Sequence, residues 1–95
     1  MDQRQTIGQP IGGKSVTVAY TDSAGTTAAL PDTTQVVRVV STTDCFIEIG
    51  TAPTAVANTG LFLPAYQPEY FAAKGYAKVS AIRLTASGSL YVTPF

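Results

Sequence analysis

The chain has 95 residues, enough for one domain with a modest core, and it contains no histidine, one cysteine, six basic residues and six acidic residues. Without histidine it lacks the usual acid–base side chain at neutral pH, and it cannot form the Ser-His or Cys-His pairs that activate nucleophiles. The composition therefore argues against an enzyme and favours a structural or binding protein.

The distribution of charge and apolar residues argues against two classes of partner. No run of basic residues offers an electrostatic footprint for nucleic acid, since they are scattered as Arg4, Lys14, Arg38, Lys74, Lys78 and Arg83. No apolar stretch approaches the ~18 residues that span a membrane, and the polar first residues do not resemble a signal peptide. We expect the protein to be synthesised in a reducing cytoplasm. Its net charge of zero favours self-association, because little charge repulsion keeps the copies apart.

Residues 1–14 predict an extended N-terminal arm ahead of a single domain over residues 15–95. The arm contains four residues that disfavour a helix and a central strand, namely Gly8, Pro10, Gly12 and Gly13. An arm of this kind can become ordered against a neighbouring protein, which makes Gln5, Ile7 and Ile11 candidate partner contacts. The alternative is a frayed terminus without a partner.

Part of the arm, GQPIGGKS over residues 8–15, matches the spacing of a phosphate-binding P-loop. The context of that motif is missing, because Pro10 interrupts it and no strand precedes it. Residues 16–20 alternate as a strand does, where a P-loop requires a helix. The chain is also too short for a nucleotide-binding sheet, so we expect no nucleotide.

Eight segments have the alternation or the β-branched and aromatic content of short strands, and turn-forming residues separate them. They cover residues 15–20, 26–30, 35–41, 45–49, 61–63, 69–73, 77–84 and 90–93. The segment over 69–73 could also form a helical turn, and we predict a strand. This pattern predicts an all-β fold, an antiparallel β-sandwich of jelly-roll type.

The strongest strand signal is QVVRVVS, in which Val37 and Val39 face one side and Val36, Arg38 and Val40 face the other, and we expect both faces to be largely covered. The next segment begins with Cys45 in an apolar run, which predicts a buried, reduced thiol. A short turn joins the two segments. We therefore predict a hairpin with Arg38 and Glu48 paired across its strands.

Two further regions supply candidate contact residues. The loop GTAPTAVANTG over residues 50–60 is long for a compact domain, so we expect it to be either functional or mobile. Thr54 and Val56 of this loop are candidate partner contacts. The second region is an aromatic group, which either packs on the core or forms a contact patch for a protein or a sugar ring. Its members are Tyr66, Tyr70, Phe71 and Tyr76.

The acidic residues give no sign of a metal or cofactor site, and we expect neither. Asp22, Asp32, Asp44, Glu48 and Glu69 lie in separate turns and strands, without the spacing of ligands. Glu48 and Glu69 could form a carboxylate pair for glycoside hydrolysis, but a chain of this length leaves little room for the cleft.

From Val36 to Phe95 the chain resembles small virion proteins of tailed bacteriophages. The resemblance lies in an ordered series of segments: VRVVSTTDCFIEIG, TAPTAVANTGLFLPA, PEYFAAKGYAKVSAIRL and ASGSLYVTPF. It leaves out the N-terminal third and involves no catalytic signature. Proteins of this kind are β-sandwich or jelly-roll capsid decoration ("cement") proteins, or minor head and tail components.

The resemblance implies a non-enzymatic decoration protein that binds the outer capsid surface in many copies. Its partners would be the major capsid protein and further copies of itself, as a dimer or trimer, with no nucleic acid, membrane or small-molecule substrate. The alternative function is a receptor- or carbohydrate-binding module, or a minor head-tail or fibre component of the virion. Saturable glycan binding by the isolated domain would distinguish this alternative.

Overall fold

The computed structural model describes residues 10–95, which form eight strands and no helix. Gln5 and Ile7 of the predicted arm lie outside the described residues. The strands are β1 (Val16–Tyr20), β2 (Gly25–Thr26), β3 (Val36–Ser41), β4 (Cys45–Gly50), β5 (Leu61–Leu63), β6 (Glu69–Ala72), β7 (Lys78–Arg83) and β8 (Gly88–Pro94).

The strands form two four-stranded antiparallel sheets. The first sheet has the order β1-β8-β3-β6 and the second the order β2-β7-β4-β5. The pairs β1·β8, β2·β7, β3·β6 and β4·β5 are those of one long hairpin with its tip between β4 and β5. That hairpin is rolled up so that β8 also meets β3 and β7 also meets β4. This is jelly-roll connectivity, and it confirms the predicted fold class.

The predicted hairpin of β3 and β4 is wrong. The turn between them carries the chain from one sheet to the other, so Arg38 lies opposite Thr93 and Tyr70. Glu48 lies opposite Ser80 in the second sheet. The physical reason is that both strands have an apolar face. They bury these faces against each other across one core, instead of lying edge to edge.

The second strand is much shorter than predicted. Beyond Thr26 the chain still follows β7, with Thr27 and Leu30 donating backbone hydrogen bonds to the carbonyl oxygens of Val79 and Ala77. The Thr27 hydroxyl accepts a bond of 3.0 Å from the Val79 N–H, where a regular ladder would supply a carbonyl. A side chain thus replaces a backbone acceptor and interrupts the strand.

The core lies between the two sheets and is built from alternate residues of the strands. Val37 and Val39 of β3, and Cys45 of β4, are fully buried, as predicted. Tyr20 is the largest side chain buried there. Phe71 packs against this core from β6, so one member of the aromatic group is a core residue.

The two ends of the sandwich differ. At one end, called the turn end below, the turn over 42–44 lies beside the turn over 84–87. At the opposite end β3 begins, β4, β6 and β8 end, and the described chain enters at Pro10. There the Ile11 N–H bonds the carbonyl oxygen of Pro94 at 2.9 Å. β1 follows Lys14 and Ser15 directly, as a strand, so the P-loop-like sequence lacks the helix that the motif requires.

Candidate functional site

The first candidate surface is the outer face of the first sheet. Burial alternates along its strands, so every second side chain points away from the core. The outward side chains are Thr17, Ala19, Val36, Arg38, Val40, Tyr70, Ala72, Ser89, Tyr91 and Thr93. Among these positions Arg38 alone is charged, and the rest are small, aliphatic or aromatic.

Strand register joins the large members of this face into one surface. Tyr91 of β8 lies between Val40 of β3 and Thr17 of β1. Beside it, Arg38 lies between Thr93 and Tyr70. Direct cross-strand neighbours have Cβ atoms about 5 Å apart, so the side chains within each row are close enough to contact one another.

The tyrosines of this face remain open to solvent. Tyr70 is 49% exposed and Tyr91 is 44% exposed. The ring of Tyr70 packs on that of Phe95 at a tilted angle, with 5.8 Å between ring centroids. Exposed apolar surface with tyrosine and arginine is typical of protein interfaces. The face can therefore bind a partner by burial and shape.

The outer face of the second sheet is partly covered by the chain itself. The loop over 51–59 crosses it, with the Thr54 N–H bonded to Glu48 at 3.0 Å and the Ala55 N–H bonded to the Ser80 hydroxyl at 2.9 Å. Ala55 is buried by this packing, whereas Val56 remains 56% exposed. The loop is thus anchored by two hydrogen bonds, and Val56 is its exposed apolar residue.

The uncovered part of that face carries a second apolar group. The rings of Phe46 and Phe62 contact each other with centroids 5.5 Å apart. Ile82 lies next to Phe46 across the strands, and Leu84 follows just beyond β7. Phe62 is 47% exposed, so this smaller group is also accessible.

The structure does not bring the predicted tyrosines into one patch. Tyr66 lies at the turn end, where its N–H bonds the carbonyl oxygen of Ser41 at 2.8 Å. Tyr76 lies at the opposite end, bonded to the carbonyl oxygen of Leu30 at 3.2 Å. Tyr70 lies between them on β6. All three are exposed, at three separate levels between the two ends of the sandwich.

Tyr66 and Tyr76 share an unusual backbone conformation. Their φ angles are 57° and 63°, in the left-handed region that favours glycine or asparagine. They are 70% and 65% exposed, so neither side chain recovers the cost of about 1–2 kcal/mol through burial. A large, exposed side chain at a strained position contributes little to the stability of the fold, which is consistent with a role in contacting a partner.

Sequence reasoning missed Tyr91 and the Phe46–Phe62 pair. The signal was present for Tyr91, because in GSLYVTP the apolar Leu90 and Val92 alternate with it and must face the core. Of the predicted contacts, Ile11 is half-buried and bonded to β8, while Thr54 is exposed and belongs to the anchored loop.

Two of the carboxylates accept hydrogen bonds from nearby backbone N–H groups. Asp44 accepts a hydrogen bond of 2.8 Å from the Ala65 N–H, and Glu48 accepts the bond from Thr54 described above. Glu48 and Glu69 belong to different sheets. Within residues 10–95, no three His, Cys, Asp or Glu side chains are grouped so as to hold a metal ion.

A cavity of about 860 Å³ opens at the end of the sandwich opposite the turn end. Its walls come from residues 32–35 before β3, from the end of β4 and the residue after it at 49–51, and from the end of β6 and the segment that leads to β7, at 72–75 and 77. The size is within the range of ligand-binding sites. Its apolar lining includes Ile49 and Ala73, and its charged lining residues are Asp32 and Lys74.

Comparison with protein-family models, with curated proteins and with solved structures found no match to this chain. In the part of the chain that the structure describes, no helix is long and apolar enough to cross a membrane.

Proposed function

We propose that the protein is a bacteriophage capsid decoration protein, which binds the outer capsid shell in many copies and stabilises it without catalysis. The observation that supports this most is the outer face of the first sheet, a surface across four strands with Arg38 as its one charge among ten outward residues. Such a face binds by apolar burial and shape complementarity, which a shell protein needs.

The composition is consistent with binding in many copies. Each copy has a modest contact area, but copies that contact the shell and one another gain avidity that exceeds the affinity of a single contact. The net charge of zero removes long-range repulsion between copies on a crowded shell. The partners in this proposal are the major capsid protein and neighbouring copies of the chain.

The direct test is cosedimentation of the purified protein with capsids that lack it, with the bound copies counted per shell. We expect copies on the order of hundreds per shell and a higher temperature of capsid disruption, because many weak contacts act together. Binding limited to about a dozen copies would contradict a decoration role and indicate the portal vertex or the tail.

A pair of variants tests the surface. Tyr70→Ser with Tyr91→Ser removes both tyrosine rings from the outer face of the first sheet and should lower capsid affinity at least about tenfold. Phe62→Ser is the matched control, because Phe62 has a similar exposed fraction on the other sheet. Equal loss of binding in both variants would show that the first sheet is not the contact surface.

A receptor- or carbohydrate-binding module is the second candidate. The observation that favours it is the exposure of Tyr66 and Tyr76 in loops, where an aromatic ring can stack on a sugar. It predicts saturable glycan binding by the isolated protein that Tyr66→Ala or Tyr76→Ala abolishes. Glycan binding without capsid binding would replace the decoration proposal by this one.

A further inference from the structure

The first sheet has an open edge at β1. This strand is the outermost of its sheet, and among the described strands it pairs with β8 alone. An edge strand presents backbone N–H and carbonyl groups without partners, and these can pair with a strand of another chain. Which residues of β1 present such groups depends on the hydrogen-bonding pattern of β8.

That pattern directs the backbone groups of Thr17 towards the open edge. Val36 and Phe95 exchange two backbone hydrogen bonds, of 3.3 and 2.7 Å, so Phe95 faces β3. Successive residues of an inner antiparallel strand bond to the neighbours on alternate sides. Val92 therefore faces β1, where it lies opposite Val16. Thr17 is the next residue along, and its N–H and carbonyl point away from the sheet.

Only the first half of this edge is open. Gly25 packs so closely on Ala19 that an added Cβ would overlap the carbonyl oxygen there, so β2 covers the edge at Ala19. Ser15 has the same orientation as Thr17, because it lies two residues earlier. The open part of the edge therefore consists of one N–H and one carbonyl from each of Ser15 and Thr17.

β1 lacks the features that protect edge strands from pairing. Its sequence, VTVAY, contains no charged residue and no proline, and its register with β8 is continuous. The other edge strands in residues 10–95 are shorter: β2 has two residues, β5 has three and is followed by Pro64, and β6 has four, including Glu69. β1 is thus the longest edge strand of the described chain and the least protected.

The absence of charge indicates a second copy of the chain as the partner. A two-fold axis places an edge strand antiparallel to its own copy and brings identical residues close together. A charged strand repels its own copy in this arrangement, as β6 would through Glu69, whereas β1 does not. We propose that the chain forms a two-fold dimer in which β1 pairs antiparallel with β1 of a second copy.

The open groups select the register of this pairing. With the two-fold axis at Val16, Ser15 of each copy lies opposite Thr17 of the other, and all the open groups find partners. An axis at Thr17 would instead place Ser15 opposite Ala19, which Gly25 covers. The half-buried Val16 side chains meet at the axis and become more buried, which adds an apolar contribution.

The dimer joins the two first sheets edge to edge, so that their outer faces form one wider surface. This provides the contact between copies in the decoration proposal, and that use of the dimer rests on the proposal. The pairing itself requires no capsid.

Disulfide trapping of the full-length chain tests the register. Opposite residues of a non-hydrogen-bonded pair have Cα atoms about 4.5 Å apart, which a disulfide can bridge, so Val16→Cys should link the two copies. Val18→Cys is the matched control, because it is half-buried on the same face of the same strand. Its two copies would lie four residues apart along the strands, about 13 Å, beyond the reach of a disulfide. The native Cys45 is fully buried.

Under mild oxidation we expect the covalent dimer to form at least about tenfold faster with Val16→Cys than with Val18→Cys, because pairing raises the local concentration of the two thiols. Equal rates, or no covalent dimer from either variant, would overturn the proposal.

Sedimentation velocity gives an independent measurement. Because the contact is small, we expect a dimer that dissociates on dilution. Thr17→Pro removes the N–H that points outwards and keeps every bond to β8, so it should sediment as a folded monomer. Thr17→Ala retains the N–H and should remain a dimer. Identical sedimentation of these two variants would contradict the pairing.

Thr17→Lys serves the same purpose if the proline variant does not fold. It retains the N–H but adds like charges close to the axis, so it should weaken the dimer, and added salt should restore it. A dimer unaffected by this charge would exclude β1 as the contact.

A monomeric unaltered chain at all concentrations would also overturn the proposal. If the Thr17→Pro variant of such a monomer bound capsids more weakly than Thr17→Ala, a capsid strand would be the partner of β1 instead. The dimer is measured without capsids, so failure of strand pairing and failure of capsid decoration are separate results.

Discussion

The hydroxyl of Tyr20 lies 2.8 Å from the carbonyl oxygen of Thr43, across 23 positions of sequence. The same hydroxyl accepts a bond of 3.3 Å from the Thr43 N–H and lies 2.8 Å from the Thr43 hydroxyl. Thr43 in turn donates to the carbonyl oxygen of Ala86 at 2.9 Å. One buried tyrosine thus connects the end of β1 to both turns at the turn end.

Tyr20→Phe should lower the free energy of unfolding by about 1–3 kcal/mol, because it retains the ring but removes the hydrogen bonds to Thr43. Urea denaturation of the purified protein measures the change. Tyr70→Phe is the control, since that hydroxyl belongs to an exposed residue, and it should change stability by less than about 0.5 kcal/mol. Equal effects would show that the Thr43 contacts do not stabilise the fold.

Gly88→Ala should destabilise the protein by about 1–3 kcal/mol through overpacking at the same place. A Cβ at Gly88 would lie 2.5 Å from the Thr43 hydroxyl and 2.6 Å from the Thr42 hydroxyl. Gly50→Ala is the matched control at a strand terminus, because nothing lies within 4 Å of its Cβ position. Thermal unfolding distinguishes them, and equal melting temperatures would contradict the close packing.

Tyr66→Gly should leave stability unchanged or raise it by up to about 1 kcal/mol, because glycine adopts the positive φ without strain. If Tyr66 contacts a partner, the same variant should bind capsids or glycan more weakly. Urea denaturation and cosedimentation together decide between the roles. A marked loss of stability would show that Tyr66 supports the fold and that its conformation has no bearing on contact.

Alkaline pH should destabilise the protein through two buried groups. Burial raises the pKa of Tyr20 above its ordinary value of 10.0 and the pKa of the Cys45 thiol above its ordinary 9.0. The folded state therefore holds these protons more tightly than the unfolded state. Their contribution is complete below about pH 9 and is lost as pH rises through the raised values.

The measurement is the free energy of unfolding between neutral pH and pH 11, for the unaltered protein and for Tyr20→Phe. The variant lacks the Tyr20 hydroxyl, so the difference in stability between the two proteins should shrink as pH rises above about 10. A difference that stays constant would mean that Tyr20 ionises equally in the folded and unfolded states.

The sequence by itself determined the fold class and the orientation of most strands. Alternation places Val37 and Val39 on one face of their strand, and the strand over 61–63 has the predicted bounds, because the side-chain period of a strand is visible in one dimension. It also limited the chemistry, since a chain without histidine has few routes to acid–base catalysis.

Tertiary structure decided which strands are neighbours and hence which surfaces exist. The separation of Arg38 from Glu48, the row that joins Tyr91 to Val40, and the distance between Tyr66 and Tyr76 all follow from how the long hairpin is rolled up. Contacts between distant residues depend on the balance of burial over the whole chain, which local alternation does not contain. The cavity beside Thr34 has the same origin, because segments from three parts of the chain form its walls.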